Sequence, residues 1–563
     1  MTGHSRRLAW AMLAACANVL LPARAHAQAM PPPASADDAD DAMPPPGYVP
    51  AHREPTVGLG LSPHVPDQAS ALPGGMTPVI GAPRRPSDGA KFSFQGSLQV
   101  GVRESFGSRS NPTKDQSSTT WHGDPLVPRG NVFENTNTVP YTWAELRFSY
   151  STPTVTANTS LAAWSLTESQ QSSGAVQPNS QLWIRNAFLT YVPTRLDPVK
   201  LSANVGVYED RYGGMGQYDN GAYGAPVIAS IQGVGETLSV AVPLLGSTRL
   251  KVEQGFKSNL ARVPVGAPAG PANNWPKPWE GQTFVNHLHV GVDFNGLAEG
   301  TLHYISAFAR DDQSDQTDLG SFRAGYQNGS DLPVQSHGDG SLRILAADLR
   351  LTLRRFGFVY AGVSNTSVDH VRTVSGVVQI LNAGGGRDLM DRYFGRNNDA
   401  GRGTLTLAGV QYGVGLGELL RYPGEFWGEG PDLRVSVFGM FAHVTSDDPA
   451  RDGEDEYKFG AEGTYSVLSW LALGGRVDRA VPYANRPKVP LYSNQNDNSF
   501  TVLTGKVVLR SDWQAREALV IQYSHFAYRP DFHLVTLNAG GQVSSVTGAP
   551  DENLIALYGT LWW

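Results

Sequence analysis

From about Lys91 to the final Trp563 the chain alternates apolar and polar residues with a period of two. Side chains of an extended strand point alternately to opposite faces, so each such segment makes a ribbon with one apolar and one polar side. In residues 345–354, Leu345, Ala347, Leu349, Leu351 and Leu353 alternate with Ala346, Asp348, Arg350, Thr352 and Arg354. Leu201, Ala203, Val205 and Val207 likewise face away from Lys200, Ser202 and Asn204. Leu288, Val290, Val292 and Phe294 face away from His287, His289 and Asp293. The rows have exceptions: Gln254 interrupts an apolar one, and Phe438 and Met440 fall on a polar one.

The alternation places about eighteen strands, with sixteen as the alternative count, near 92–102, 141–151, 154–166, 181–192, 199–208, 235–242, 248–257, 285–294, 299–309, 343–354, 356–368, 404–412, 432–443, 456–466, 470–478, 499–510, 517–528 and 553–563. The gaps between them are long and short in turn. Among the long ones are 103–140, 209–234, 258–284, 311–342, 369–403, 479–498 and 529–552; among the short ones are 193–198, 243–247, 295–298 and 511–516. The gap 413–431 is long where a short turn is due. Short turns on one rim and long loops on the other are the layout of an antiparallel up-and-down transmembrane barrel. No run of eighteen apolar residues follows residue 27, so no membrane-spanning helix is expected. A spanning chain of this kind must close on itself, because lipid satisfies no exposed backbone group. A secreted sandwich, propeller or β-helix also alternates, but needs no such loop rhythm.

The end of the chain is the most specific segment. Ile555, Leu557, Gly559, Leu561 and Trp563 form one row, and Ala556, Tyr558 and Thr560 the other. This resembles the C-terminal signature of bacterial outer-membrane barrels of the porin-like class, in which a terminal aromatic follows apolar residues at every second position. Phe is the usual last residue there, and Trp stands in its place here. The resemblance implies that residues 91–563 form an outer-membrane barrel, that the last strand closes it, and that Ile555, Leu557, Leu561 and Trp563 are read by the barrel-assembly machinery. It also implies outer-membrane lipid and lipopolysaccharide as surroundings and small hydrophilic solutes as cargo. A homo-oligomer is left open.

The N-terminal 27 residues read as a cleaved export signal: Arg6 and Arg7, an apolar stretch from Leu8 to Leu21, then Ala25-His26-Ala27. Leu13-Ala14-Ala15-Cys16 offers a competing, lipobox-like reading. Residues 28–90, with two Pro triplets and paired aspartates, have no periodic apolar pattern and read as a disordered Pro-rich periplasmic linker. This segment is too short for the folded plug of a TonB-dependent transporter. Charged residues are 17% of the chain against about 25% in soluble domains. The mean hydropathy of −0.26 suits a barrel whose two faces average out. Net charge is −7 with no basic patch, so nucleic acid is not an expected partner. The single cysteine, Cys16, lies in the signal, which excludes a disulfide framework from the mature chain.

The polar rows place Glu145, Arg147, Lys200, Arg249, Lys251, Glu253, Asp293, Asp348, Arg350, Arg354, Arg434, Lys458, Glu462, Arg476 and Asp478 inside the barrel. Charges of both signs suit a water-filled pore, though pairing across the lumen could equally seal it. About eighteen strands enclose more space than side chains fill, which favours the pore. In general porins the third long loop folds inward. Here the third long loop holds Glu209, Asp210, Arg211, Tyr212, Tyr218 and Asp219 among glycines, as constriction candidates or as an ordinary surface loop. His287 and His289 share a strand face, but no third metal ligand is evident and they read as polar lumen residues. Asp369-His370, Asp447-Asp448 and His525 are the nearest approach to a rim protease or phospholipase, without a catalytic motif; neither enzyme activity nor a cofactor is expected.

If the signal is cut after Ala27, intact mass of protein purified from outer membranes corresponds to a chain starting at Gln28. A diacylglyceryl-modified Cys16 is the result that refutes the assignment.

Overall fold

The computed structural model describes residues 91–107, 143–164, 169–172, 175–178, 181–193, 196, 198–212, 228–246, 248–258, 283–294, 297–309, 340–353, 356–369, 381–382, 402–420, 431–447, 452–481, 499–511, 517–528, 533–537, 543–548 and 551–562. Eighteen long strands carry the fold. They are β1 (Lys91–Gly107), β2 (Trp143–Ser151), β3 (Val155–Trp164), β4 (Gln181–Tyr191), β5 (Lys200–Tyr212) and β6 (Ala229–Pro243). There follow β7 (Thr248–Ser258), β8 (Thr283–Phe294), β9 (Ala298–Ala309), β10 (Gly340–Thr352), β11 (Phe358–Asp369) and β12 (Gly403–Gly415). The last six are β13 (Asp432–Ser446), β14 (Asp455–Leu468), β15 (Leu471–Val481), β16 (Phe500–Leu509), β17 (Glu517–Tyr528) and β18 (Glu552–Trp562). Each matches one expected segment, so eighteen replaces the alternative of sixteen. The gap after β12 holds a short helix, α1 (Leu416–Leu420). No helix among the described residues is long and apolar enough to cross a membrane, which says nothing about crossing by strands.

Each strand pairs antiparallel with the next in sequence, and β18 pairs with β1 from Ser97↔Trp562 to Gly107↔Glu552. Every one of the eighteen therefore has a neighbour on both sides, and the ladder closes. Glycines make the tightest places. Gly246 and Gly357 take positive φ (59° and 86°) in the short turns β6–β7 and β10–β11, where an L side chain is strained. At the seam, a Cβ on Gly101 would stand 2.6 Å from the Cβ of Tyr558, its register partner. The absent side chain is what lets Tyr558 lie buried against Ala472, Val508, Val520 and Ala556.

The outward faces are apolar and exposed: Phe92, Leu98, Val102, Val205, Leu302, Leu345, Phe459, Leu503, Ile555, Leu557 and Leu561 all lie there. Gln254, the exception in its row, bonds Asn286 on the same exposed face (3.2 Å), so neither amide is left alone toward lipid. The inward rows are not uniformly polar, which corrects the sequence expectation. Toward the long-loop end they are apolar and buried: Val285, Ile305, Ile344, Leu405, Val502, Phe526 and Leu554. Polar residues occupy the middle of the same rows. On β16 the inward order is Phe500, Val502, Thr504, Lys506, Val508, so one strand presents apolar, polar and apolar levels in turn. Phe438 and Met440 are inward and buried, and Phe438 faces the Lys458 ammonium (5.9 Å) and the Arg476 guanidinium (5.1 Å).

The seam leaves no room for a side chain at Gly101. Replacing Gly101 with Val should abolish the heat-modifiable, membrane-embedded form, whereas Gly439→Val, where a Cβ meets nothing within 4 Å, should leave it near parental levels. Parental amounts of folded Gly101→Val protein on semi-native gels would disprove the steric role of Gly101.

Candidate polar wall of the barrel interior

Among the described residues two buried charge clusters line the interior. One spans β5–β10. Lys257 and Asp210 are both buried, with Nζ 2.8 Å from Oδ2. The ammonium also donates to the carbonyls of Tyr208 and Ile231 (3.0 Å each) and lies 3.7 Å over the Tyr208 ring. Its three protons are thus all used, as a buried ammonium requires. Lower on the same wall Lys251 reaches Glu299 (2.6 Å) and Asp293 (3.5 Å), and Arg350 reaches the other oxygen of Glu299 (3.5 Å). The second cluster is on β13–β16. Arg476 grips Asp478 through Nε and Nη2 (2.8 and 2.7 Å), the planar two-point geometry that suits a guanidinium, and its Nη1 lies 3.5 Å from Glu462. On β2 Arg147 pairs with Glu145 (3.1 Å), and on β13 Arg434 pairs with Asp432 (3.3 Å).

Between these pairs runs a chain of rings on β5 and β7–β10. The Tyr212 hydroxyl donates to Glu253 Oε1 (2.8 Å) and lies 3.2 Å from His287 Nδ1. His287 Nδ1 is 3.1 Å from His289 Nε2, His289 Nδ1 is 2.7 Å from His303 Nδ1, and His303 Nε2 is 2.8 Å from Asp348 Oδ1. The Tyr212 ring stacks on His289 at 3.7 Å between centroids. All of these residues are buried. Strand register explains the line: Glu253 is paired with His289, and His289 with His303, on one face of three neighbouring strands. Gly255 is opposite His287, and a Cβ there would meet Nε2 at 2.4 Å, so only glycine lets this ring lie against β7.

Of the constriction candidates, Glu209, Asp210, Arg211 and Tyr212 belong to β5 and not to a loop. Asp210 and Tyr212 are built into the wall by the contacts above. Tyr218, Asp219, Arg354 and Trp563 lie outside the described residues. Lys200 and Arg249 are on inward rows near the short-turn end, where Arg249 is exposed. Sequence reasoning missed Tyr208, Lys257 and His303. For His303 a signal existed: its strand folds back on His289 through a three-residue turn. Of the enzyme candidates, Asp369 pairs with Arg402 (2.9 Å) at an open depression of about 630 Å³ that Asp447 also lines. His370 lies outside the described residues. His525 faces outward beside Tyr523, both bonded to Asn553, while the adjacent Ser524 is buried on the opposite face.

A closed ladder of eighteen antiparallel strands, apolar outside and charged within, has the architecture of a transmembrane β-barrel. No protein-family model matches the chain, and no curated protein matches it. Among solved structures it is similar to the outer-membrane channel DcaP of Acinetobacter baumannii, at 10% identity and a TM-score of 0.35, over 86% of this chain and all of that one. It is similar to an anion-selective porin from Comamonas acidovorans at 9% identity and a TM-score of 0.32, over 84% of this chain and all of that one. It is also similar to OccD3 of Pseudomonas aeruginosa at 8% identity and a TM-score of 0.36, over 87% of this chain and 96% of that one. Likeness at this level is a matter of fold, and no residue role is taken from it.

Removing one member of a buried pair strands the other. Asp210→Ala should destabilise the barrel by about 3–5 kcal/mol, more than the double change with Lys257→Met. Urea unfolding in lipid vesicles measures both, and equal stability of Asp210→Ala and parent would show the pair to be solvated.

Proposed function

We propose that this chain is an outer-membrane channel for passive diffusion of small hydrophilic solutes, exported by a signal peptide ending at Ala27. One observation carries the reading: a level of charged and hydrogen-bonding side chains midway inside a closed eighteen-stranded ladder. A barrel of that strand number is wide enough for an aqueous path, and rings of charge tune what passes. Lipid and lipopolysaccharide would cover the apolar band, and the assembly machinery would receive β18.

A second reading, a structural or surface-binding barrel with a blocked lumen, has its own support. The inward faces near the long-loop end are apolar and buried, which suits packing better than water. In addition, Leu381–Asn382, from the segment between β11 and β12, pairs with Ile231 and Ser230 of β6 across four intervening strands. Chain added to β6 beyond the start of its ladder with β7 would narrow the entrance on the long-loop side.

Conductance in planar bilayers separates the two. The channel reading expects discrete steps from the parent. If segment 209–224 narrows the path, deleting Gly213 to Gly221 raises the step size, and Arg211→Glu moves preference towards cations, because fixed charge at a narrow, weakly screened point dominates selectivity. A parent that inserts but never conducts leaves the blocked barrel.

A further inference from the structure

The ring chain on β5 and β7–β10 has a chemistry that a diffusion pore does not call for. We propose that Glu253, His287 and His289 bind one borderline divalent transition-metal ion, of which Zn²⁺ is the representative.

The donor set comes first. A carboxylate oxygen of Glu253 and one ring nitrogen each of His287 and His289 lie within 4.8 Å of one another, and all three residues are fully buried. The two nitrogens are 3.1 Å apart. Ligands at about 2.1 Å from a tetrahedral ion stand about 3.4 Å from each other, so the imidazoles are already spaced for one ion, and the carboxylate needs only to swing in. The Tyr212 hydroxyl, 2.8 Å from Glu253 and 3.2 Å from His287 Nδ1, stands at the remaining corner, where it or a water completes the set.

Proton positions point the same way. A carboxylate can only accept, so a His303 ring with one proton carries it on Nε2 and gives it to Asp348. Its Nδ1 then accepts, which fixes the proton of neutral His289 on Nδ1. His289 Nε2 is left as a lone pair aimed at His287. Asp348 and His303 thus orient His289 as a metal ligand from behind, as the outer partners of ligating histidines commonly do. His287 Nε2 has no hydrogen-bond partner among the described residues, so a proton on Nδ1 leaves Nε2 a bare buried acceptor, and a proton on Nε2 leaves two lone pairs facing each other. A cation between them resolves the second arrangement.

Charge supplies the third argument. Glu253 is held by the hydroxyls of Tyr212 and Ser239 and makes no ion pair among the described residues. The nearby Lys257 is engaged by Asp210. A buried carboxyl served only by hydroxyls gains a counter-charge where a divalent ion takes the place of its proton. Two imidazoles with one carboxylate select Zn²⁺, Cu²⁺ or Ni²⁺ over Mg²⁺ and Ca²⁺, which prefer oxygen alone.

The test uses the untagged full-length barrel in detergent, stripped with chelator and dialysed against Zn²⁺ or Co²⁺. The expected result is one Zn²⁺ per chain surviving gel filtration, and a Co²⁺ form with the intense visible absorption of a low-coordinate site. Retention should fall at acid pH as protons compete for the ligands. Glu253→Gln and His289→Ala, scored only if heat-modifiable on gels, should lose the ion. Asp348→Asn, which touches no ion, should weaken it about 10–100-fold. The proposal is overturned if the parent retains no ion, if its Co²⁺ form has only the pale spectrum of the hydrated ion, or if folded His289→Ala retains as much as the parent. The parent's Co²⁺ spectrum decides even if every variant fails to fold. Bilayer conductance plays no part in this measurement, so the channel reading stands or falls separately.

Discussion

Hydrocarbon offers no hydrogen bonds, and this organises everything else in the molecule. Each unpaired amide or carbonyl facing lipid would cost several kcal/mol, so a sheet in a membrane can have no edge. Closure therefore rests on one pairing, β1 with β18, which are the first and last strands of the ladder and more than four hundred residues apart in sequence. Their outward contacts include Leu98 opposite Leu561 and Val102 opposite Leu557; inside, Gly101 yields its space to Tyr558. The C-terminal aromatic-apolar row is thus both the last strand and the one that removes the two remaining edges.

Once lipid claims the outward rows, ionic side chains are confined to the interior. Those buried there must satisfy one another. Lys257 spends its protons on Asp210 and two carbonyls, and Arg476 takes Asp478 at two points. The interior is layered, with a charged level between apolar ones on β16. That layering sets up the central functional tension. Under the channel proposal the charged level would pass hydrophilic solutes; the apolar collar above it, with Leu381–Asn382 paired to β6, is what the blocked-lumen alternative draws on.

How much was legible depended on range. Strand identity and facing follow from a period of two, which is local, and Leu345 with Asp348 shows that the rows face as the pattern says. A hairpin with a short turn also fixes register: the three residues between Phe294 and Ala298 dictate that His289 meets His303. Across the long segment after β7, chain length dictates nothing, so the meeting of Glu253 with His289 was invisible. Expecting the loop to begin at Glu209 failed for a related reason. Strands of a barrel extend past the membrane wherever a neighbour offers a partner, and β6 does so up to Ala229↔Tyr212.

The sequence by itself therefore determined the strand segments, which side of each meets lipid, and the segment that ends the ladder, because all of these are carried by neighbouring residues and the bilayer's demand for an apolar surface, while the choice of eighteen strands over sixteen came from the structure. Only the tertiary structure decided which inward side chains come together. Asp210 with Lys257, and Tyr212 with Glu253 and His287, join residues from strands whose mutual stagger is set by closing the ring, and that stagger belongs to the whole barrel and to no single segment.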